Sequence, residues 1–249
     1  MIGRSSVGIH GVAAAALVIG LGLASCSDLR GRPDTIATNP DEVVDFHILE
    51  RQNCSGCHGP DGKGGAAIAL GNPVFLAIAS DSTIRAIASK GVRGTQMPAF
   101  ARSEGGMLTD QQIDILIRGI RSRARAGSLQ DASVPSYETT SPGDAQRGAE
   151  VFKRRCSSCH GPHGEGGELA GSIVNGSYLA LVSDQHVRTV VITGRPELGM
   201  PDWRNNIPGH PMSEQEVSDV VAWLLTHRTQ FPGQPYRVGS WRPALSGAF

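Results

Sequence analysis

The chain has 249 residues, and its 23 Lys+Arg balance its 23 Asp+Glu, so it carries no net charge. That balance argues against a nucleic-acid binder, which shows a basic excess. The length allows two modest domains or one large one, and with aromatic content low at 5% something besides aromatic side chains must help to fill the core.

The N-terminus reads as a targeting segment. MIGRSSVGIH carries one Arg, and GVAAAALVIGLGLAS is then apolar for about fifteen residues. A membrane span needs roughly 20, so residues 1–25 fit a signal-peptide hydrophobic region instead. The segment ends in Leu23-Ala24-Ser25-Cys26, which resembles the lipobox of bacterial lipoproteins. The resemblance implies cleavage before Cys26 and a lipid on Cys26; the alternative is an ordinary secretory signal with Cys26 incidental. Acyl chains would anchor the exported protein on the periplasmic side of a bacterial membrane without spanning it. Ser27 is compatible with the outer membrane, and residues 26–40 would form the tether.

From there the chain repeats itself at an offset of 102 to 104. CSGCHGP at 54–60 matches CSSCHGP at 156–162. NPVFLAIASDSTIR at 72–85 matches NGSYLALVSDQHVR at 175–188, and Met97-Pro98 matches Met200-Pro201. LTDQQIDILIRGI from Leu108 matches MSEQEVSDVVAWL from Met212. Two copies are too few for a solenoid. Each copy reads as a small all-α domain, and neither shows a strand pattern. In the first, helices are expected from Asp41 to Gln52, from Ser80-Asp81 to Lys90 with a stop at Gly91, and from Thr109, where Thr109 and Gln112 form a capping box. In the second they are expected over 142–155, 183–193 and 213–227, with Ser213 and Glu216 as the matching box. This divides the chain into domains at 41–121 and 142–227, a polar linker at 122–141, and a proline- and aromatic-rich tail at 228–249. The tail either straps across a domain or meets a partner.

C-x-x-C-H is the attachment signature for covalent haem c. Two thiols add to two vinyl groups of one porphyrin, so they must sit about one helical turn apart. The histidine that follows then comes under the iron. A structural zinc site needs four closed ligands, and each motif supplies three. A thioredoxin-like C-x-x-C would want a βαβ context. Apart from Cys26, every cysteine lies in one of the two motifs: Cys54, Cys57, Cys156 and Cys159. Met97 lies 39 residues after His58 and Met200 lies 40 after His160, each before a proline in a loop. A thioether opposite His raises the reduction potential relative to two imidazoles. Met107 and Met212 compete for this role but do not align with each other. His47, His163, His186, His210 and His227 have no repeat partners and read mainly as surface residues.

With these motifs in hand, the chain resembles the class I cytochrome c family, as a tandem dihaem member. The resemblance implies two all-α domains, each wrapped around one covalent haem c. Cys54, Cys57, His58 and Met97 would carry the first haem, and Cys156, Cys159, His160 and Met200 the second. It also implies a proline carbonyl behind each histidine; Pro73 stands near that place in the first copy and Gly176 in the second. The family has a glycine on its first helix facing a bulky residue on its last. Gly148 and Trp223 fit that pattern, whereas the first copy has Phe46 and Gly119, large and small exchanged. Arg85, Arg188, Arg93 and Arg195 are candidate propionate partners or solvated surface arginines.

Three functions are open at this point. The chain carries single electrons between membrane-associated redox partners; or it is a fixed cytochrome subunit of a quinol-oxidising or terminal oxidase respiratory complex; or it is a dihaem enzyme such as a peroxidase. With His and Met on both irons no position is open for substrate, which favours electron transfer.

Overall fold

The computed structural model describes residues 39–123, 134–204 and 207–233. The signal segment, Cys26, most of the tether, residues 124–133 of the linker and the tail from residue 234 lie outside the described residues. Pro40–Glu42 form a short 3-10 turn, and the chain from Val43 onward forms one compact unit.

In the first repeat α1 spans Phe46–Asn53 and α2 spans Ser55–His58. They are followed by α3 (Pro73–Ile78), α4 (Asp81–Lys90) and α5 (Asp110–Arg121). The second repeat gives α6 (Ala145–Arg155), α7 (Ser157–His160), α8 (Gly176–Leu181), α9 (Asp184–Thr193) and α10 (Glu214–Leu225). Among the described residues there are helices and two isolated bridges but no strand. Both expected capping boxes are present, at Thr109 and Ser213, and each satisfies two backbone donors that a helix start leaves open. Helix α1 begins later than expected from the apolar spacing, because the Asp45 carboxylate accepts from the Ile48 N–H at 2.9 Å and sets the start there. Helix α6 likewise begins at Ala145, capped by Asp144. The helices α3 and α8 were not foreseen. Asn72 caps the first, accepting from the Val74 and Phe75 N–H groups, and Pro73 stands at its first position; Asn175 caps the second.

In each repeat the first long helix crosses the last. At α6 and α10 the crossing is a bare-backbone contact: a Cβ on Gly148 would sit 2.0 Å from the Asp219 carbonyl oxygen and 2.8 Å from the Trp223 Cβ. At α1 and α5 the small residue is on the other helix, and a Cβ on Gly119 would sit 2.1 Å from the Phe46 ring. The exchange of large and small across the crossing is therefore borne out, and close packing is kept both ways.

Buried ion pairs clamp both crossings. The Glu50 side chain, 2% exposed, takes a forked pair of hydrogen bonds from Arg123, whose guanidinium also lies 4.9 Å from the Phe46 ring centroid. Asp219, 3% exposed, accepts from Arg147 Nε at 2.8 Å and Nη2 at 2.9 Å, the Asp144 N–H at 2.7 Å and the Gln215 amide at 2.8 Å. These donors, Arg147 first, hold its carboxyl below the ordinary value against the opposing effect of burial. A depressed folded-state pKa contributes stability that is present above the unfolded value and is lost as pH falls through the folded one. Asp219→Asn should therefore cost about 1–2 kcal/mol at neutral pH. The gap to the parent protein should close as pH falls below about 4. Urea unfolding at pH 7 and pH 3 checks this, and an equal gap at both would refute it.

The two repeats share packing. Val74, on α3 of the first, is 2% exposed and belongs to the apolar cluster of the second, with Phe152, Ile192 and Trp203. The described end of the linker is docked as well: Arg188 Nη2 donates to the Ser136 carbonyl at 2.9 Å and the Gln185 amide donates to the Tyr137 carbonyl at 2.7 Å. No helix among the described residues is long and apolar enough to cross a membrane.

Candidate haem-attachment sites

Each C-x-x-C-H segment is a single helical turn set against the end of a longer helix. The Cys54 N–H caps α1 by donating to the Glu50 carbonyl. The Cys57 and His58 N–H groups then reach back to the Cys54 carbonyl at 3.2 and 3.0 Å. The second repeat copies this, with Cys159 and His160 reaching the Cys156 carbonyl at 3.1 and 3.0 Å. One turn puts residues i and i+3 side by side, the spacing that two thioether bonds to one porphyrin require. Gly59 and Gly161 follow the histidines at φ +76° and +80°, and a Cβ there would lie 2.0 and 2.5 Å from the carbonyl oxygens of Gly64 and Gly166. Only glycine lets the loop fold back this tightly. The return is fastened by Gly64 N–H to the His58 carbonyl and Gly166 N–H to the His160 carbonyl, both 2.8 Å.

The histidine rings are aimed by the backbone. His58 Nδ1 lies 2.8 Å from the Ile68 carbonyl oxygen and His160 Nδ1 lies 3.0 Å from that of Gly171. A carbonyl accepts only, so Nδ1 carries the proton and the Nε2 lone pair is left for a metal. The partners are not Pro73 and Gly176: those residues start α3 and α8, where Pro73 and Gly176 follow the capping asparagines. Burial, with a smaller effect of Arg195, lowers the His58 pKa against the Ile68 hydrogen bond and Glu50, which keeps the ring neutral as a ligand must be. Burial pushes the free thiols of Cys54 and Cys156 up to about 11. The four cysteines stand unpaired, and among the described residues no three His, Cys, Asp or Glu side chains converge into a metal cage. A donor set of two thiols and one aimed imidazole fits a porphyrin, which brings its own four nitrogens to the iron.

Met97 and Met200 are half-buried and sit in matching turns. The Val92 N–H donates to the Met97 carbonyl at 3.0 Å, and the Arg195 N–H to the Met200 carbonyl at 3.1 Å. Gly91 and Gly194 end α4 and α9 at φ +65° and +62°, and a Cβ on either would strike the methionine carbonyl oxygen or its neighbouring backbone within 2.7 Å. The competing methionines behave differently. Met212 is 3% exposed in the core of the second repeat, whereas Met107 is 77% exposed. Among the histidines, His47, His163 and His210 are exposed as expected, but His227 and His186 are half-buried. His186 meets the Tyr178 hydroxyl at 3.1 Å, and burial lowers its pKa to about 4.

The four arginines divide. Arg85 pairs with Asp114. Arg188 is neither a surface residue nor directed at a cofactor: it is 1% exposed and is consumed by Glu214, the Ser218 hydroxyl and the linker carbonyls. Arg93 is exposed. Arg195 bonds to Glu197 and to the Gly65 carbonyl. Two other arginines, which no motif or repeat match marks, carry the frame instead. Arg121 donates to the Leu76 and Ala79 carbonyls and pairs with Asp81. Arg228 donates to the Leu179 carbonyl at 2.8 Å and that of Val182 at 3.0 Å, and pairs with Asp184 at 2.6 Å. The targets correspond one for one at an offset of 103, but the arginines do not, so alignment of the copies hides the match. With Arg228, the first residues of the tail strap onto the second repeat: the Thr229 hydroxyl reaches the Gly176 carbonyl at 3.0 Å and the Gly233 N–H reaches Ser177 at 2.7 Å.

A family described as "Cytochrome C oxidase, cbb3-type, subunit III" matches residues 47–118 and 143–224, one match per repeat. Fold, motifs and match together define a c-type cytochrome with two covalent haem c groups, one at Cys54 and Cys57 and one at Cys156 and Cys159. The match covers more than half of the chain, and the chain belongs to this family. The cytochrome bc1 complex cytochrome c subunit of Mycobacterium tuberculosis (strain ATCC 25618 / H37Rv) is 23% identical over 202 residues, which is 78% of this chain and 67% of that protein. The cbb3-type cytochrome c oxidase subunit FixP of Azorhizobium caulinodans is 28% identical over 214 residues, 82% of this chain and 67% of its own. A chain of a reducing HAO-like protein complex of Kuenenia stuttgartiensis is similar over 74% of this chain and 96% of its own, at 17% identity and a TM-score of 0.40, too distant to inform the reading.

Proposed function

We propose that this protein is the dihaem cytochrome subunit of a membrane respiratory complex and passes single electrons between its redox partners through two His/Met-ligated haems. The observation that carries the reading is the duplicated frame: two attachment turns, each with its histidine ring set by a backbone carbonyl. The names of the relatives, subunits of a bc1 complex and of a cbb3 oxidase, support membership of a complex over free carriage.

His58 and Met97 would hold the first iron, His160 and Met200 the second. Each bound haem supplies a one-electron iron couple. The chain does the rest. The Ile68 and Gly171 carbonyls fix the imidazole orientation, and the glycine-closed turns present the methionines. The crossed helices pack an apolar cluster against Cys54 in the first repeat and against Cys156 in the second. Two protein ligands per iron leave no position for substrate, which supports electron transfer over catalysis. Domain limits at 41–121 and 142–227 belong to the same proposal, and the lipobox-like Leu23-Ala24-Ser25-Cys26 supports a lipid on Cys26 that would hold the protein at the periplasmic side of the membrane.

Native gels of mild detergent extracts, stained for haem, test the proposal. A heavy haem-stained band that contains other respiratory subunits is expected. Migration near the mass of the lone protein would overturn complex membership and leave a tethered carrier.

A further inference from the structure

The seam between the repeats brings α3 against α9, and the charged side chains of Arg195 and Glu197 reach across it. The Asn72 amide donates to the Thr193 carbonyl at 3.3 Å across this seam. Two residues after Thr193 stands Arg195. Its backbone pairs in both directions with Met200, at 3.1 and 3.0 Å. Its side chain, 12% exposed, leaves its own repeat: Nη2 donates to the Gly65 carbonyl at 2.6 Å while Nε meets Glu197. Gly65 belongs to the loop that returns on His58, and the fit is close there. Gly64 has φ +105°, and a Cβ on it would sit 2.6 Å from the Glu197 carboxylate. The corresponding position in the first repeat is Val92, which has no charge to offer. The arrangement is thus peculiar to the second repeat and not part of the duplicated frame.

We propose that Arg195 is a positioning residue that couples the two haem sites, its backbone holding the Met200 turn and its guanidinium holding the first repeat's attachment loop and raising the potential of the first haem. A positive charge near an iron disfavours the oxidised, more positive state. It therefore raises the reduction potential, and more strongly in a partly buried seam than in water. The guanidinium ends on the loop that returns to His58, where the neighbouring Gly64 N–H donates to the His58 carbonyl at 2.8 Å. Glu197, paired to the guanidinium, partly offsets its charge. The first haem's potential would then depend on a residue of the second repeat. The inference rests on the His/Met reading above.

The test is a potentiometric titration of the holoprotein, which resolves one wave per haem. Met97→His assigns the first haem's wave by moving it negative. Arg195→Ala is expected to move that same wave negative, Glu197→Gln to move it positive, and Arg195→Lys to leave it nearest the parent. A merely structural role for Arg195 would destabilise the protein without giving the two removals opposite signs. If Arg195→Ala and Glu197→Gln leave the assigned wave in place, or shift it in the same direction, the proposal is wrong. If Met97→His moves neither wave, the His/Met reading is what fails, and the coupling falls with it.

Discussion

Gly148→Ala is expected to cost about 3 kcal/mol or more and to loosen the second repeat. Alanine gains about 1 kcal/mol over glycine in helix propensity, so an exposed helix position would be stabilised. Here the new methyl meets the Asp219 carbonyl oxygen at 2.0 Å. Backbone cannot rotate aside as a side chain can, so α6 and α10 must part. Overpacking costs about 1–3 kcal/mol when side chains can give; the backbone contact puts this case at the top of that range or beyond it. Against a total stability of about 5–15 kcal/mol the loss is large. The first repeat supplies the control. Gly119→Ala meets the Phe46 ring at 2.1 Å, a side chain, so shortening Phe46 to leucine in the same protein should recover most of the loss. Thermal unfolding of the holoproteins followed by circular dichroism measures both. Unchanged stability of Gly148→Ala would mean that the crossing is not packed as described.

Met97→His and Met200→His should each lower one midpoint potential and leave the other within a small shift. Axial ligand identity commands a span of roughly 0.8 V, and imidazole in place of thioether lies on the low side of it. A drop on the order of a few tenths of a volt is expected for the altered haem. Met107→Ala, at an exposed position, and Met212→Leu, in the core, should leave both waves in place. A large shift from Met107→Ala, with none from Met97→His, would move the axial ligand to Met107.

The helical class, the repeat and the attachment motifs were legible because they depend on side-chain identity at fixed spacing. The glycine exchange between Phe46/Gly119 and Gly148/Trp223 was legible through the family resemblance, which named the two facing positions, and residue type then gave the volumes. Features made by backbone were not. The carbonyls behind the histidines come from Ile68 and Gly171, and a carbonyl has no letter of its own. The helices α3 and α8 are six residues long, too short for apolar period to reveal; the Asn-Pro pair at 72–73 was the available sign. Arg188 is neither the propionate partner nor the solvated surface arginine that its charge suggested, because Glu214, Ser218 and the linker carbonyls, all distant in sequence, hold it in the interior. Arg121 and Arg228 were missed because they reach equivalent carbonyls from non-equivalent positions.

The seat of Val74 in the core of the second repeat bears on how the protein keeps time. Two beads joined by a slack cord exchange charge only when they happen to meet, and thickening the medium slows them. Here the separation of the attachment segments is set by interlocked side chains at α3 and α9, so the internal hop needs no collision. Its rate should be indifferent to viscosity, and solvent drag should be felt only where the protein meets its partners. The same interlock means that the second half cannot be cut away cleanly, since removing it would leave Val74 bare to water.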